Sequence, residues 1–427
     1  MNSRALAFAP EPRAVGSGAL AQRLLNFILF VTVLLSCLAF IEPSPHDVMM
    51  FVLLVACVWA HVAVDRKFTP LIFLLILWLI GGAIALINVA DDQLAVQYFG
   101  TSVYLALAAV IFACLFSDGD LTRLSLMNRA YLIAALVAAN TGYIGYFHLL
   151  PGANVFLDLA GASSGELARV SATFKDPNVY GPFLIFPLMM LILGFLSRPT
   201  AIRTVLIVLL AGGVLLSYSR GAWIHFGLSA VTAIALAFLS APDRRMRTRV
   251  LAFAIVAAVG LLIVFAGLMS VDSIREMLAE RAKVFQPYDT GSGGRFTLQQ
   301  LALSVILENP TGLGPLVFSN LHGSQQHNVY LQGFLVYGWI GGAAYLTLIA
   351  VTLALGLRHF LQRTPWQPYL IAAYASFIGE VGEGFIIDTD HWRHFFLLLG
   401  LVWGLSVATI NYSRSYANRR SATAVSY

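Results

Sequence analysis

The sequence predicts an all-α polytopic membrane protein with about 12 transmembrane helices and one long outward loop between the ninth and tenth. Three observations predict this class. The first is composition: 59% of the 427 residues are hydrophobic and 11% are charged, with a mean hydropathy of +0.80. A soluble domain carries about 25% charged residues. The second is that the apolar residues fall in runs of roughly 17–25, the length that crosses a bilayer as a helix. These runs lack the strict alternation of barrel strands, and only helices or closed barrels satisfy the backbone in lipid. The third is a charge asymmetry between alternate loops.

In chain order the runs are 24–41, 48–64, 70–89, 98–116, 130–150, 180–196, 202–217, 222–240, 250–269, 327–355, 369–387 and 393–410. The run at 327–355 is overlong and is expected to tilt or to begin outside the bilayer. If the N-terminus is cytoplasmic, 18 of the 26 Lys and Arg residues fall on the inner side, including the cluster at 244–249. Both termini are therefore expected in the cytoplasm. The remaining eight are Arg169, Lys175, Arg220, Arg275, Arg281, Lys283, Arg295 and Arg393. They lie outward against the rule, so several are expected to have a task there. Two outward loops are long, about 151–179 and about 270–326.

The expected organisation is a cytoplasmic segment 1–23, a single membrane domain 24–410 and a cytoplasmic tail 411–427. No internal repeat is visible, which counts against a secondary transporter. Cys37, Cys57 and Cys114 lie inside apolar runs and read as small buried hydrophobes. Arg4, Arg13 and Arg23 before an apolar run have the look of a signal peptide, but the run is too long. It also ends at Glu42-Pro43-Ser44-Pro45 with no small-residue cleavage site, so that reading is rejected.

The strongest local pattern is His327-Asn328, nine residues, Gly338, two residues, Gly341, where the chain leaves the long loop. Histidine titrates near neutral pH and suits a general base that takes a proton from a hydroxyl. The two glycines would let the helix pack closely on a neighbour. A membrane-surface histidine above a small-residue packing face has the same pattern. Ser217-Tyr218-Ser219-Arg220-Gly221 links two runs at the outer face. An arginine at that depth either snorkels or meets an anion, and a guanidinium grips phosphate oxygens in pairs. Gly291-Ser292-Gly293-Gly294-Arg295 precedes an amphipathic stretch at 296–307 and reads either as a phosphate-approaching loop or as a linker. Arg169 stands before Thr173-Phe174-Lys175-Asp176-Pro177-Asn178, a turn whose Asn178 would cap the next helix.

These segments together resemble the O-antigen ligase and Wzy-type polysaccharide polymerase superfamily, over about 165–345. Its members similarly carry a His and a small polar residue, nine positions, then Gly-x-x-Gly, a Ser-x-Ser-Arg-Gly segment, and an arginine before an outer-loop helix. The resemblance implies a bacterial inner-membrane glycosyltransferase with a periplasmic active site. Its donor would be an undecaprenyl-diphosphate-linked glycan, and its acceptor either lipid A-core (a ligase) or a growing glycan (a polymerase). It implies His327 as the catalytic base, Arg220 and Arg295 on the diphosphate, and Arg169 and Asn328 in the cavity. Asp388, Asp390 and His391, in the last outer turn, are not part of the family pattern. They read as an acceptor-binding wall, as an interfacial salt-bridged belt, or as carboxylates that hold a cation. Glu380 and Glu383 precede that turn inside an apolar run. No metal, cofactor or nucleic-acid partner is expected. The rival from another class is a lipid-linked oligosaccharide flippase or a secondary transporter.

Overall fold

The computed structural model describes residues 17–158, 168–270, 275 and 294–425. Arg4, Arg13, Arg281, Lys283, the middle of the first long loop and Gly291-Ser292-Gly293 lie outside the described residues. Each of the twelve apolar runs overlaps a helix, and several run past its end. The helices are α1 (Ser17–Leu34), α2 (Pro45–Trp59), α3 (Thr69–Leu86), α4 (Gln93–Phe116), α5 (Leu121–Tyr146), α6 (Pro177–Phe183) and α7 (Ile185–Ser197). They continue with α8 (Ala201–Leu216), α9 (Arg220–Ser240), α10 (Arg244–Met269), α11 (Arg295–Glu308), α12 (Val317–His322), α13 (Val329–His359), α14 (Gln367–Glu383) and α15 (Arg393–Val425). Among the described residues, 8 helical spans are long and apolar enough to cross a membrane, with α6 and α7 forming one of them. Helices α2 and α8 are apolar but shorter. The segment expected as a long loop at 270–326 contains α11 and α12.

The helices begin where short polar side chains accept backbone N–H groups. Ser44 and Asp47 form a capping box on α2, and Asp92, Asp120, Asp176, Thr200, Ser219 and Asn328 cap α4, α5, α6, α8, α9 and α13. The cap of α6 is Asp176, not the Asn178 expected from the sequence: Asp176 Oδ1 accepts the Asn178 N–H at 2.7 Å. That frees the Asn178 side chain for another contact.

Cross-links tie the loops into two opposite faces. On one face Ala39 bonds Thr173, Lys175 pairs with Glu42, Arg393 grips Asp47 at 2.7 and 2.8 Å, and Asn328 bonds Asp388. On the other face Arg123 bonds Gln22 and Asn26, Asn411 bonds Asp65, and Arg249 bonds the end of α7. The first is the face of His327. Between the faces lies a continuous apolar core, while α10 leaves Ile255, Val256, Leu262 and Ile263 exposed, as a lipid-facing helix does.

The two glycines of the His327 motif divide the work assigned to them jointly. Gly341 packs where α13 crosses α3: a Cβ on Gly81 would come 2.6 Å from its backbone nitrogen. Gly338 instead breaks the helix, with φ 65° and ψ −174°. A side chain there would lie 2.6 Å from the carbonyl carbon of Thr311, and the freed Trp339 N–H donates to Pro310 O at 2.9 Å. Only glycine combines that conformation with so close a backbone. The two short strands of the first long loop, Leu157–Asp158 and Arg169–Val170, pair antiparallel and place Arg169 beside α8 and α9.

Candidate active site

His327 sits just before α13 at φ 51°, a left-handed conformation that a non-glycine residue holds only under constraint. The constraints are visible on both sides of it. The Asn328 N–H donates to Asp388 Oδ1 at 2.9 Å, and the Val329 N–H donates to Gly384 O at 2.9 Å. The Asn328 side chain accepts from Tyr330 and Leu331 and donates to Phe385 O. Gln299 of α11 donates to the His327 carbonyl at 3.3 Å. These bonds fix the turn and leave the ring half-buried.

The His327 Nδ1 lies 3.8 Å from Asp388 Oδ2. The contact becomes an ion pair only with the imidazole protonated and Asp388 ionised. Burial pulls the imidazole below its ordinary 6.5, Arg295 adds to the fall, and Asp176 opposes it. The ring is therefore neutral at pH 7, with Nε2 turned away from Asp388. Burial and the neighbouring Asp390 push the Asp388 carboxyl up to about 8, against the Asn328 N–H and Arg295.

Three arginines expected at the site from separated segments line one polar pocket of about 170 Å³: Arg169, Arg220 and Arg295. Each has a different anchor. Arg169 donates to Asn178 Oδ1 at 2.8 Å and Ser217 O at 3.3 Å, and lies 3.9 Å from Asp158. Arg220 is the first residue of α9, capped by Ser219, and Arg295 is the first of α11. Glu383 closes the pocket beneath them, its Oε2 2.9 Å from His225 Nδ1, while His225 Nε2 donates to Ser376 O at 3.0 Å. Three guanidinium groups around a concave wall have the donor geometry that pairs with the oxygens of an anion. Arg295 belongs to both places: it lines this pocket and its charge reaches His327 and Asp388.

The last outer turn splits its residues. Asp388 faces His327, whereas Asp390 is buried and accepts the Tyr98 hydroxyl at 2.8 Å. His391 stacks on Tyr98 with ring centroids 3.9 Å apart and bonds Ser102 at 2.9 Å. Asp390 and His391 thus pin the turn to α4, and the two carboxylates answer different partners. Below His327 runs a network the sequence did not disclose: Gln326 bonds Asp388 and Gln332, Gln332 donates to Tyr98, and Tyr98 reaches Asp390. Gln332, a polar residue in an apolar stretch of α13, was its only sequence signal.

No curated protein matches the chain in a sequence comparison. A family model described as O-antigen ligase, Wzy_C, matches residues 205–346, which take in Arg220, Arg295, His327, Asn328 and both motif glycines. Arg169, Asp388, Asp390 and His391 lie beyond it. Over that third of its length the chain is similar to the O-antigen ligase family.

Proposed function

We propose that the chain is an inverting glycosyltransferase that moves a glycan from a polyprenyl diphosphate, of the undecaprenyl type, to an acceptor hydroxyl on the outer face of the bacterial inner membrane. The observation that carries this reading is Arg295, shared between the three-arginine pocket and the His327–Asp388 pair. A diphosphate leaving group needs its charge met rather than a proton, and fixed guanidinium groups meet it without reorganising. In this reading Arg169, Arg220 and Arg295 hold the diphosphate, and the twelve apolar helices cross the bilayer with both termini cytoplasmic. His327 Nε2 takes the proton of the acceptor hydroxyl as its oxygen attacks the anomeric carbon. The bond from that carbon to the diphosphate oxygen breaks, and the electron pair leaves with the diphosphate. Asp388 holds the other ring nitrogen and stabilises the imidazolium that forms. An open apolar groove of about 430 Å³ adjoins Asn328, lined by Phe296, Leu303, Leu331 and Phe385 among others, and suits the prenyl chain.

Between the two branches of the superfamily, the spacing of the His327 motif favours the ligase, with lipid A-core as acceptor. The decisive experiment is transfer by the purified protein in nanodiscs, with donor and acceptor on one leaflet. Transfer by the wild type and its loss in His327→Ala are expected. A fully active His327→Ala would end the mechanism, and no transfer by the wild type would favour a flippase. In a deletion strain, loss of O-antigen attachment with chains still lengthening identifies a ligase. Accumulated single repeat units identify a polymerase.

A further inference from the structure

A second cavity opens on the face of His327, on the far side of the 174–178 segment from the arginines. It is about 140 Å³ and is lined by residues from α1, α5, the segment 174–179 and the start of α15. Most of its wall is apolar and aromatic. Phe174 and Phe183 pack with centroids 4.9 Å apart, and Trp392 lies 5.3 Å from the His394 ring. Its floor is different. Tyr131 and His394 both line it, and they are 1% and 5% exposed. Neither the Tyr131 hydroxyl nor His394 Nε2 has a hydrogen-bond partner among the described residues. His394 Nε2 faces the fully buried Glu380 instead, with Oε1 3.4 Å away.

A buried polar atom without a partner costs roughly 1–3 kcal/mol, and the Tyr131 hydroxyl, which lines the cavity, asks for a partner there. That partner has to bring a hydroxyl group on a compact body and fit an aromatic wall. The rim carries charges of both signs, with Lys175 paired to Glu42 at 2.9 Å, Arg393 to Asp47, and Asp176 beside them. A neutral sugar ring fits both parts. Sugar rings lay their C–H faces on aromatic rings and direct their hydroxyls to polar groups, and sites of this kind are largely apolar with few polar contacts.

We propose that this cavity is a saccharide subsite, separate from the arginine pocket, that takes one sugar ring of a glycan substrate with Trp392 as its stacking face and the Tyr131 hydroxyl as its hydrogen-bonding floor. The class of ligand rests on the glycosyl-transfer reading above. Asp176 connects the two regions: it lines this cavity and its charge reaches His327.

The test is binding of two lipid-free oligosaccharides, released by mild acid from the glycolipids of the producing strain, to the full chain in nanodiscs. One is the lipopolysaccharide core and the other is the repeat unit, and tryptophan fluorescence and saturation-transfer NMR read the binding. One of them is expected to bind the wild type, which identifies the ring as belonging to acceptor or donor. Tyr131→Phe keeps the ring packing and is expected to weaken binding about three- to tenfold while the melting temperature holds or rises. Trp392→Leu is expected to weaken it more, and His327→Ala to bind as the wild type does. Failure of both oligosaccharides to bind, or wild-type binding in Tyr131→Phe, overturns the subsite. Binding without transfer by the wild type would instead sink the transferase reading and leave the subsite standing.

Discussion

The His327 corner and the arginine pocket adjoin each other, yet they are built in opposite ways. The corner is made from two short segments, 326–332 and 384–390, knitted by bonds from Gln326, Asn328 and Val329 to Asp388, Phe385 and Gly384 that fix a strained backbone turn and one ring. The pocket is made from charged side chains delivered by a strand, two helix starts and the end of α14, each anchored apart from the others. A base needs one orientation, and orientation comes from local bonds. A diphosphate clamp needs charge from several directions, and that comes only from distant segments. Substitutions should therefore act on the rate of chemistry in the corner and on donor binding in the pocket.

The largest expected effect tests the first half of that contrast. His327→Ala should lower the turnover rate by about 10²–10⁴, the usual contribution of a positioned base, with the donor KM nearly unchanged. Arg220→Lys comes next. It keeps the charge but loses the planar two-point grip, so a loss of about tenfold to a hundredfold is expected, seen chiefly as a raised donor KM. Steady-state kinetics on both variants checks the pair. If Arg220→Lys changes turnover alone, or His327→Ala changes donor KM alone, the division between corner and pocket fails.

The same contrast explains what could be read in advance. The helices were legible because each apolar run is long and uninterrupted, and the faces because the basic residues concentrate on alternate loops. His327 was legible because its motif is local, with all of its defined positions within 15 residues. The arginines could be named but not assembled, since their meeting depends on how α9, α11 and the strand at Arg169 dock. Asp388 looked like the partner of Asp390, but the turn sends the first to His327 and the second to Tyr98. Asp176 read as a turn residue and proves to cap α6. Gly338 and Gly341 looked alike in the sequence; the close backbone of Thr311, far from any sequence signal, makes one a hinge and the other a crossing point.

The third effect is a change in pH dependence. Asp388 is protonated below about 8 and ionised above it, because burial and Asp390 disfavour its charge. Its ionised form is the one that raises the basicity of His327, so wild-type turnover should climb as pH rises from 7 to 9. Asp388→Asn cannot ionise. Its turnover should stay flat above pH 7, falling only at lower pH where His327 gains a proton below its ordinary 6.5. The gap at pH 9 is expected to reach up to about tenfold, one pKa unit of basicity. A pH profile in Asp388→Asn that parallels the wild type would show that Asp388 does not act through His327.

The smallest effect probes how the pocket holds its charges. Asn178 bonds Arg169 at 2.8 Å, and Arg169 also reaches Ser217 and Asp158 at 3.3 and 3.9 Å. Asn178→Ala leaves the cap of α6 in place, since Asp176 supplies it. One lost hydrogen bond to a charged group amounts to about 1.5–3 kcal/mol at most, and Arg169 can recover part of that from Ser217. The donor KM should therefore rise about two- to tenfold, with turnover and melting temperature close to the wild type. A fall in turnover at constant KM would move Arg169 out of the clamp and into the His327 corner, and the boundary between the two regions would have to be redrawn there.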